Sequence, residues 1–351
     1  MVITIRHWLY DLRILKSRSF DIPIVCIGNI TVGGTGKTPT AEYILELLLS
    51  RYNIALLSRG YGRKTKGYRE VSVNDSYLDV GDEPLQIKLK FPEVPVVVCA
   101  DRVSAVERIR KEHPEVNLIL MDDGFQHRSL TAKVNIIILD ATRPFFQDNY
   151  LPYGRLRDTK SRLSAGHIFI VTKCPEDFKP IDRNAWVNKL KSIAYQTVYF
   201  TRIRNLDIAP LFTFAERREV AQNCKVILFS GIGNPMPFIR SASERFNVVA
   251  KCTFEDHHAY TAADLKSLYA TLQAHPDAII LMTEKDAVKL RRMHNLPESM
   301  RRAMYFQPIV MEFLSDSDNF ATDLIEEIEF KFKDLNDIKR PKAESASGHI
   351  K

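Results

Sequence analysis

Short apolar segments alternate with helix-like segments through the first half of this chain, and this alternation limits the folds open to it. The apolar segments are rich in β-branched residues and occupy residues 22–27, 54–57, 94–99, 116–121, 134–139 and 168–171. Because continuous apolar strands separated by helices need cover on both faces, the pattern predicts an α/β fold around a parallel sheet. In such folds the functional residues lie at the carboxyl ends of the strands.

A glycine-rich segment follows the first of these strands and precedes a helical one. Residues 28–38 read Gly-Asn-Ile-Thr-Val-Gly-Gly-Thr-Gly-Lys-Thr. Glycines let backbone N–H groups turn onto phosphate oxygens, Lys37 can reach the β- and γ-phosphates, and Thr38 can coordinate Mg²⁺. The strict motif has a glycine where this chain has Thr31, so the match depends on the Gly-Gly-Thr-Gly core and its context. The segment predicts a triphosphate-binding loop, and an ordinary strand-to-helix turn is the alternative.

Length and composition are those of a globular protein of about two domains, with 351 residues of which 45% are hydrophobic. The five cysteines occur singly, which predicts reduced thiols rather than a zinc site or a disulfide framework. No apolar run approaches the roughly 20 residues of a membrane span, and no signal peptide is evident. We therefore expect a cytosolic protein or one on the cytosolic face of a membrane.

The amino-terminal segment, residues 1–20, is basic and amphipathic. Its four basic residues outweigh Asp11 to give a net charge of +3. Its apolar residues fall on one helical stripe and are Ile5, Trp8, Leu9, Leu12 and Leu15. A basic helix with a tryptophan suits the headgroup region of an anionic membrane, and packing of the stripe on the protein body is the alternative. Basic charge also serves nucleic-acid binding, but the sequence contains no recognition module of that kind.

A second series of apolar strands begins near residue 225 and predicts a smaller α/β domain at 206–303, beside a large domain at 21–197. Residues 198–205 and 304–313 alternate like exposed strands, and we expect them to pair as a two-stranded linker between the domains. A carboxyl-terminal helix is expected at 314–332. The charged tail at 333–351 has few large apolar residues and is predicted to be disordered.

Acidic residues end one of the buried strands in the large domain. Residues 116–121 run directly into Asp122 and Asp123, where nucleotide phosphotransferases place a second anchor for Mg²⁺. A turn in which Asp122 caps a loop is the alternative. Gln126 and His127 follow closely and add donors suited to phosphate or sugar oxygens.

Three further segments of the large domain fall at strand ends or helix starts. A basic loop, in which Arg59 and Arg63 flank two glycines, suits an anionic acceptor, although a solvated loop would look similar. Asp82 opens a helix, where it serves as an N-cap or as a carboxylate that accepts a hydroxyl proton. Arg102 begins the helix after the next strand and places a guanidinium at the same edge of the sheet.

Two adjacent histidines, His257 and His258, precede a helix of the smaller domain. Adjacent side chains point to opposite sides of an extended chain, so the pair is not suited to sharing one metal ion. One of them as an acid–base partner is the more plausible role.

Seven segments, taken in their order along the chain, resemble the tetraacyldisaccharide 4′-kinase family, the lipid A 4′-kinases. They are residues 28–39, 58–62, 81–84, 122–128, 151–157, 254–260 and 283–289. The resemblance implies a P-loop kinase-like domain joined to the smaller domain by the two-stranded linker. It also implies transfer of the γ-phosphate of ATP to the 4′-hydroxyl of an acylated glucosamine disaccharide 1-phosphate. The expected location is the cytoplasmic face of the inner membrane, as a monomer held by the amino-terminal helix and without a nucleic-acid partner.

The resemblance also implies roles for individual residues. The ATP-binding residues would be Thr31, Val32, Gly33, Gly34, Thr35, Gly36, Lys37 and Thr38. Thr38 with Asp122 or Asp123 would hold Mg²⁺, and Asp82 would act as the catalytic base with His257, rather than His258, as its partner. Lys37 is also counted as catalytic. The substrate would be contacted by Arg59, Tyr61, Arg102, Gln126 and His127.

Two other classes of protein share parts of this pattern. A membrane-associated P-loop switch ATPase also carries a Gly-Gly-x-Gly-Lys-Thr loop, but it needs no acceptor pocket, and the set formed by Asp82, Asp122, Asp123 and His257 argues against it. A module that retains ATP without chemistry is the third possibility.

In the segment 151–157, Tyr153 and Arg155 stand where small or proline residues are common in the kinase family.

Overall fold

The computed structural model describes residues 2–190, 195–214, 220–293 and 295–338. In chain order, its strands are β1 (Ile24–Gly28), β2 (Ile54–Ser58), β3 (Arg69–Glu70), β4 (Val96–Val98), β5 (Leu118–Asp122), β6 (Val134–Asp140), β7 (Ile168–Thr172), β8 (Thr197–Asn205), β9 (Ala209–Pro210), β10 (Lys225–Ser230), β11 (Asn247–Thr253), β12 (Ile279–Thr283), β13 (Met304–Gln307) and β14 (Ile309–Phe313). Its α-helices are α1 (Val2–Asp11), α2 (Lys37–Leu48), α3 (Tyr77–Val80), α4 (Asp82–Lys90), α5 (Arg102–Glu112), α6 (Pro180–Leu190), α7 (Met236–Arg245), α8 (Ala262–Ala274), α9 (Glu284–Leu290), α10 (Glu298–Ala303) and α11 (Ser317–Ile338).

The large sheet has the strand order β14-β8-β7-β6-β1-β5-β2-β4-β3. The seven inner strands, from β8 to β4, are parallel, and only the edge strands β14 and β3 run antiparallel to their neighbours. The predicted α/β fold around a parallel sheet is therefore confirmed. Because β1, β5, β2 and β4 are adjacent, their carboxyl ends lie side by side and bring the segments that follow them to one edge.

Strand β1 shows why continuous apolar runs predict this arrangement. Its side chains alternate between the two faces, so that Ile24 and Cys26 belong to one core and Val25 and Ile27 to the other. Helices α5 and α6 contribute to the first core, and α2, α4 and α11 contribute to the second. Full burial on both faces leaves no position in the strand for a polar side chain, which is why the sequence does not alternate.

The smaller sheet has the order β11-β10-β12-β13-β9, with only β9 antiparallel to its neighbour. Helices α8, α9 and α10 pack on one face of this sheet and α7 packs on the other. This is a second α/β unit with its own cores. It places the chain after β10 and β12 at the carboxyl edge of its own sheet.

The predicted linker strands differ in part from the structure. Strands β8 and β14 do pair antiparallel, with Asn205 opposite Ile309 and Thr201 opposite Phe313, but β8 also pairs with β7 and so extends the large sheet. Residues 304–307, predicted as linker, instead form β13 of the smaller sheet. Pro308 separates β13 from β14, and because proline lacks an N–H group it marks the point where the chain changes sheets.

Two terminal helices have other lengths than predicted. The amino-terminal helix ends at Asp11 rather than near residue 20, because the chain turns at Arg13, whose φ is 59°. The carboxyl-terminal helix α11 continues to Ile338, so the part of the predicted disordered tail at 333–338 is helical. Those six residues contain no proline or glycine to end the helix, and residues 339–351 lie outside the described part. Within the described residues, every helix is too short or too polar to cross a membrane.

Candidate active site

The glycine-rich segment forms a loop that is fixed at its base and open at its tip. Thr35 is buried; its hydroxyl accepts a hydrogen bond from Asn29 Nδ2 at 2.8 Å, and its carbonyl accepts one from Thr172 Oγ1 at 2.6 Å. Gly36 has a φ of 92°, which favours glycine, and α2 begins at the next residue. The tip, residues 32–34, is exposed. The Val32 N–H donates to the carbonyl oxygen of Arg155 at 2.8 Å, so the N–H groups that face an anion are those of Gly33, Gly34 and the amino terminus of α2.

Asp123 is engaged by two cations beside this loop. Arg157 forms a two-pronged contact, with Nη1 3.2 Å from Asp123 Oδ2 and Nη2 on Oδ1, and Nη2 also donates to the side chain of Asn29. Lys37 Nζ lies 3.7 Å from Asp123 Oδ1. Burial alone would raise the pKa of Asp123, but Lys37 and Arg157 hold it below its usual value. Asp123 therefore orients Lys37 and Arg157 as an ionised partner.

Asp122 lies next to Asp123 in sequence but in a different environment. It is buried at the end of β5, and its Oδ1 atom has no hydrogen-bond partner among the described residues. Burial, followed by the charges of Glu83 and Asp123, raises the pKa of Asp122 to about 7. A buried carboxylate oxygen without a donor is suited to a hard cation.

The donor set fits Mg²⁺ bound together with phosphates. No cluster of three or more His, Cys, Asp or Glu side chains that could hold a metal ion occurs in the described part of the chain. Mg²⁺ does not require one, because it commonly takes one or two carboxylates and completes its shell with water and phosphate oxygens. Asp122 and the hydroxyl of Thr38, in the first turn of α2, are such a pair. Since Asp123 is already paired, we favour Asp122 of the two aspartates.

Asp82 is positioned by the turn between α3 and α4. Gly81 has a φ of 94°, and a Cβ atom there would lie 3.2 Å from the carbonyl oxygen of Tyr61. Asp82 is the first residue of α4 rather than its N-cap, which is Gly81, so the predicted capping role is wrong. Its Oδ1 atom accepts a hydrogen bond from the backbone N–H of Glu83 at 2.9 Å. The carboxylate is therefore fixed at a helix amino terminus, where negative charge is stabilised.

The smaller domain supplies the partner of this carboxylate. His257 Nδ1 lies 3.0 Å from Asp82 Oδ2, and the imidazole is 5.2 Å from the ring of Tyr61. His258 points elsewhere, bonds to Asp264 at 3.0 Å and stacks on a phenylalanine. Burial would raise the pKa of Asp82, but the hydrogen bond from His257 and nearby lysines hold it at about 2. The hydrogen bond to Asp82 in turn raises the pKa of His257, against the effect of burial.

Three further predicted site residues form a basic group next to Asp122. Arg102 is fully buried, donates through Nη1 to the carbonyl oxygen of Cys99, and keeps Nε and Nη2 without partners among the described residues. Burial and then Arg102 and Arg59 lower the pKa of His127 to about 4. Two guanidinium groups and a neutral imidazole thus form a pocket of positive potential. Gln126 lies at its side and donates through Nε2 to the carbonyl oxygen of Asn29 at 2.6 Å.

Several site residues were not predicted from the sequence. Arg157 clamps Asp123, Lys285 and Lys289 approach Asp82, and Glu83 approaches Asp122. Arg157 and Lys285 both lie in segments that carry the family resemblance, but neither residue was given a role there. Their contacts join positions far apart in sequence, which no local pattern indicates.

Comparison with known proteins gives a consistent picture. Residues 1–329 match the family described as Tetraacyldisaccharide-1-P 4′-kinase. The chain is 38% identical over 319 residues to the Tetraacyldisaccharide 4′-kinase of Phocaeicola vulgatus, covering 89% of this chain and 87% of that relative. It is 37% identical over 329 residues to the protein of the same name from Porphyromonas gingivalis, with 92% of each chain covered.

A solved structure agrees at the level of the fold. It is that of LpxK from Aquifex aeolicus in complex with ATP, with a TM-score of 0.71, 24% sequence identity, and coverage of 93% of this chain and 95% of that one. Together with the match over residues 1–329 and relatives aligned over about nine tenths of the chain, this leads to one assignment. The chain belongs to the tetraacyldisaccharide-1-P 4′-kinase family.

Proposed function

We propose that this protein transfers the γ-phosphate of ATP to the 4′-hydroxyl of an acylated glucosamine disaccharide 1-phosphate. The observation that carries the proposal is the buried Asp82 carboxylate, which lies 3.0 Å from His257 of the other domain. The next residue, Glu83, acts electrostatically on Asp122. A switch ATPase or a passive nucleotide-binding module has no need of a carboxylate positioned in this way. Kinases use one to orient and deprotonate an alcohol.

ATP would bind at the loop between β1 and α2. The exposed Gly33 and Gly34 and the amino terminus of α2 would offer N–H groups to the phosphates, and Lys37 would contact the β- and γ-oxygens. The Aquifex aeolicus relative was solved in complex with ATP, which supports the choice of nucleotide. Lys173, which donates to the carbonyl oxygen of Gly34 and to Asp140 at 2.7 Å, supports the loop from the opposite side.

Thr38 and Asp122 would hold Mg²⁺. Bound there, Mg²⁺ would neutralise charge that develops on the phosphate oxygens. Asp123 would act indirectly, since it aligns Lys37 and Arg157 toward the same phosphates.

Asp82 would act on the acceptor. As the hydroxyl oxygen forms its bond to the γ-phosphorus and the bond to the bridging oxygen of ADP breaks, the hydroxyl proton passes to the Asp82 carboxylate. His257 keeps one carboxylate oxygen in place by a hydrogen bond, so that proximity and orientation are set before the reaction. Contact between the two domains at this point would also exclude water as a competing acceptor.

The basic group would bind the anionic head of the acceptor. Arg102 and Arg59 carry charge beside a neutral His127, and Arg102 retains two unpartnered donors in the described structure. Tyr61, which is largely exposed and lies against His257, is placed to pack on a sugar ring. Gln126 fixes the turn between them by its bond to the backbone of Asn29.

Helix α1 would bring the site to the membrane surface. His7 on its inner side is buried and bonds to Asp158 at 2.6 Å, whereas Ile5, Trp8 and Leu12 are at least half exposed. These three residues of the apolar stripe would therefore be free to contact a membrane. A basic segment with an exposed tryptophan is suited to the headgroup region of the cytoplasmic leaflet.

The test is phosphate transfer with purified protein, Mg²⁺ and radiolabelled ATP. A detergent-dispersed acylated disaccharide 1-phosphate should become labelled, and the label should be absent with the same lipid lacking a free 4′-hydroxyl. Steady ATP hydrolysis that does not respond to the lipid would support the switch ATPase instead. ATP binding without either reaction would support the passive module.

A further inference from the structure

Lys285 lies where the two domains meet at Asp82. It is the second residue of α9 in the smaller domain, and its side chain is mostly buried. Its Nζ atom is 3.2 Å from Glu83 Oε1 and 3.7 Å from Asp82 Oδ2 in the large domain. Within its own domain it is 3.3 Å from His257 Nε2 and 3.6 Å from Asp256 Oδ1. One ammonium group therefore contacts both members of the Asp82–His257 pair and a carboxylate on each side.

These contacts fix the state of the imidazole. An ammonium group has only donors, so its contact with Nε2 requires Nε2 to be the unprotonated nitrogen. The ring proton is then on Nδ1, which faces Asp82 Oδ2 and donates to it. Asp256 Oδ1 also faces Nε2, but at 3.9 Å it is beyond hydrogen-bond distance. The two closer contacts are satisfied together by one neutral tautomer, and the other neutral tautomer would satisfy neither.

We propose that Lys285 is a positioning residue, which holds His257 in the neutral, Nδ1-protonated form and fastens the smaller domain onto Asp82 and Glu83. This rests on the proposed function only for its kinetic consequence, because the tautomer is a property of the protein without substrates. Because Lys285 occupies the lone pair of Nε2, the carboxylate rather than the imidazole is the group that receives the hydroxyl proton. Lys285 itself does not contact the reacting atoms.

The second lysine of α9 does not duplicate this role. Lys289 Nζ donates to the carbonyl oxygen of His258 at 3.2 Å and lies 3.5 Å from Asp286, both in its own domain. It approaches Asp82 only to 3.9 Å and has no recorded contact with His257 among the described residues. Its charge supports the Asp82 carboxylate, but it does not set the tautomer.

The electrostatic consequences have a definite sign. His257 faces Asp82, Asp256 and Lys285, with the Tyr61 ring beside it, and Asp82 faces His257, Lys285 and Lys289. The charge of Lys285 lowers the pKa of both His257 and Asp82. Without that charge both pKa values rise, and Nε2 becomes free to bind a proton. The acid limb of the kcat profile should then move to higher pH.

The experiment compares Lys285→Met and Lys285→Arg with the wild type, and uses Lys266→Met on the exposed side of α8 as a matched loss of charge. Long-range ¹⁵N–¹H NMR of the ligand-free full chain reports the His257 ring directly. We expect an Nδ1-protonated neutral ring in the wild type, in Lys285→Arg and in the control. In Lys285→Met we expect imidazolium or the Nε2-protonated tautomer near neutral pH.

Kinetics give the second readout. Lys285→Met should lower kcat by roughly 10- to 100-fold through misplacement of Asp82, with little change in KM for ATP. The acid limb of its kcat profile should move to higher pH. Lys285→Arg should restore both the wild-type kcat and the wild-type position of the acid limb. If Lys285 had a purely structural role, Lys285→Met would lower kcat but would change neither the pH of the acid limb nor the tautomer of His257.

Two results would overturn the proposal. One is an Nε2-protonated His257 in the wild type, which needs no variant and no substrate. The other is an unchanged ring state and an unchanged pH profile in folded Lys285→Met. If the wild type has the expected tautomer but transfers no phosphate to the lipid, the proposed function fails while the positional role of Lys285 stands.

Discussion

Replacing Asp122 by asparagine should make the magnesium-free protein more stable while abolishing its activity. The carboxylate is buried at the end of β5, has an oxygen without a partner among the described residues, and faces the charges of Glu83 and Asp123. Such a group opposes folding when it is ionised and no cation is bound. The variant removes the charge with little change of shape.

The expected gain follows from the pKa of Asp122, which is about 7 in the folded protein. Against an unfolded value of about 3.9, this is a difference of roughly three units, and each unit corresponds to about 1.4 kcal/mol. Ionised Asp122 would then lower the free energy of unfolding by roughly 4 kcal/mol above pH 7. A buried amide with an unmet hydrogen bond costs about 1–3 kcal/mol, so a net gain of about 1–3 kcal/mol remains.

The gain depends on pH with a fixed sign. Below pH 4 Asp122 is protonated in both states and contributes nothing. Between about pH 4 and 7 the unfolded chain releases the proton before the folded one, so the wild type loses stability relative to Asp122→Asn; above pH 7 the difference is constant. Urea unfolding of both proteins in EDTA at pH 4, 5.5 and 8 measures this difference directly.

The neighbouring residue provides the control. Asp123→Asn removes the partner of Arg157 and Lys37 and should destabilise the protein at neutral pH, because two cations lose their counter-charge. The reasoning is refuted if Asp122→Asn destabilises the metal-free protein at pH 8 as much as Asp123→Asn does. It is also refuted if Asp122→Asn keeps wild-type kcat with Mg²⁺ and ATP.

Four other changes test separate parts of the site and its setting. Asp82→Asn should lower kcat by roughly 10²- to 10⁴-fold with nearly unchanged ATP affinity, measured by single-turnover transfer and calorimetry; near-normal turnover would exclude Asp82 as the base. His257→Ala removes a group that lowers the pKa of Asp82. As the pH is lowered, activity that needs the ionised carboxylate should therefore be lost at a higher pH than in the wild type, and a pH–rate profile would show this. Lys37→Ala should weaken both nucleotide binding and turnover. Trp8→Ser should reduce sedimentation with anionic vesicles, with Ile181→Ser, an exposed apolar residue of α6, as a control that should not.

The sequence predicts the large sheet well, because strands buried on both faces are continuous apolar runs that can be recognised locally. All residues of β1, β2 and β5 are buried, and each strand lies within two residues of its predicted position. The linker strands were harder to predict, because the sequence of β13 and β14 forms one continuous run of alternating residues. Only the change of partner at Pro308, from the smaller sheet to β8, divides it, and partners are set by tertiary contacts.

In the site, too, features set by neighbouring residues could be predicted, and contacts between distant positions could not. The phosphate loop and Asp122 follow from a strand, a turn and a helix adjacent in sequence, so the spacing alone indicates them. The contact between Asp82 and His257 spans 175 positions and was expected only through family resemblance. Arg157 and Lys285 reach their partners across 34 and 202 positions, and no periodicity records such pairs.

Backbone strain at the site explains why its charged pairs are so closely fitted. Asp123, Lys173 and His257 all have positive φ, at 48°, 57° and 58°, and this conformation costs roughly 1–2 kcal/mol for a residue with a Cβ atom. Each is held by a charged or hydrogen-bonded partner, namely Arg157, Asp140 and Asp82. A variant that breaks one of these pairs also allows the backbone to relax. Its loss of stability should therefore be smaller than the ion pair alone implies, while its loss of activity should be larger, because the relaxed backbone no longer holds the side chain in its place in the site.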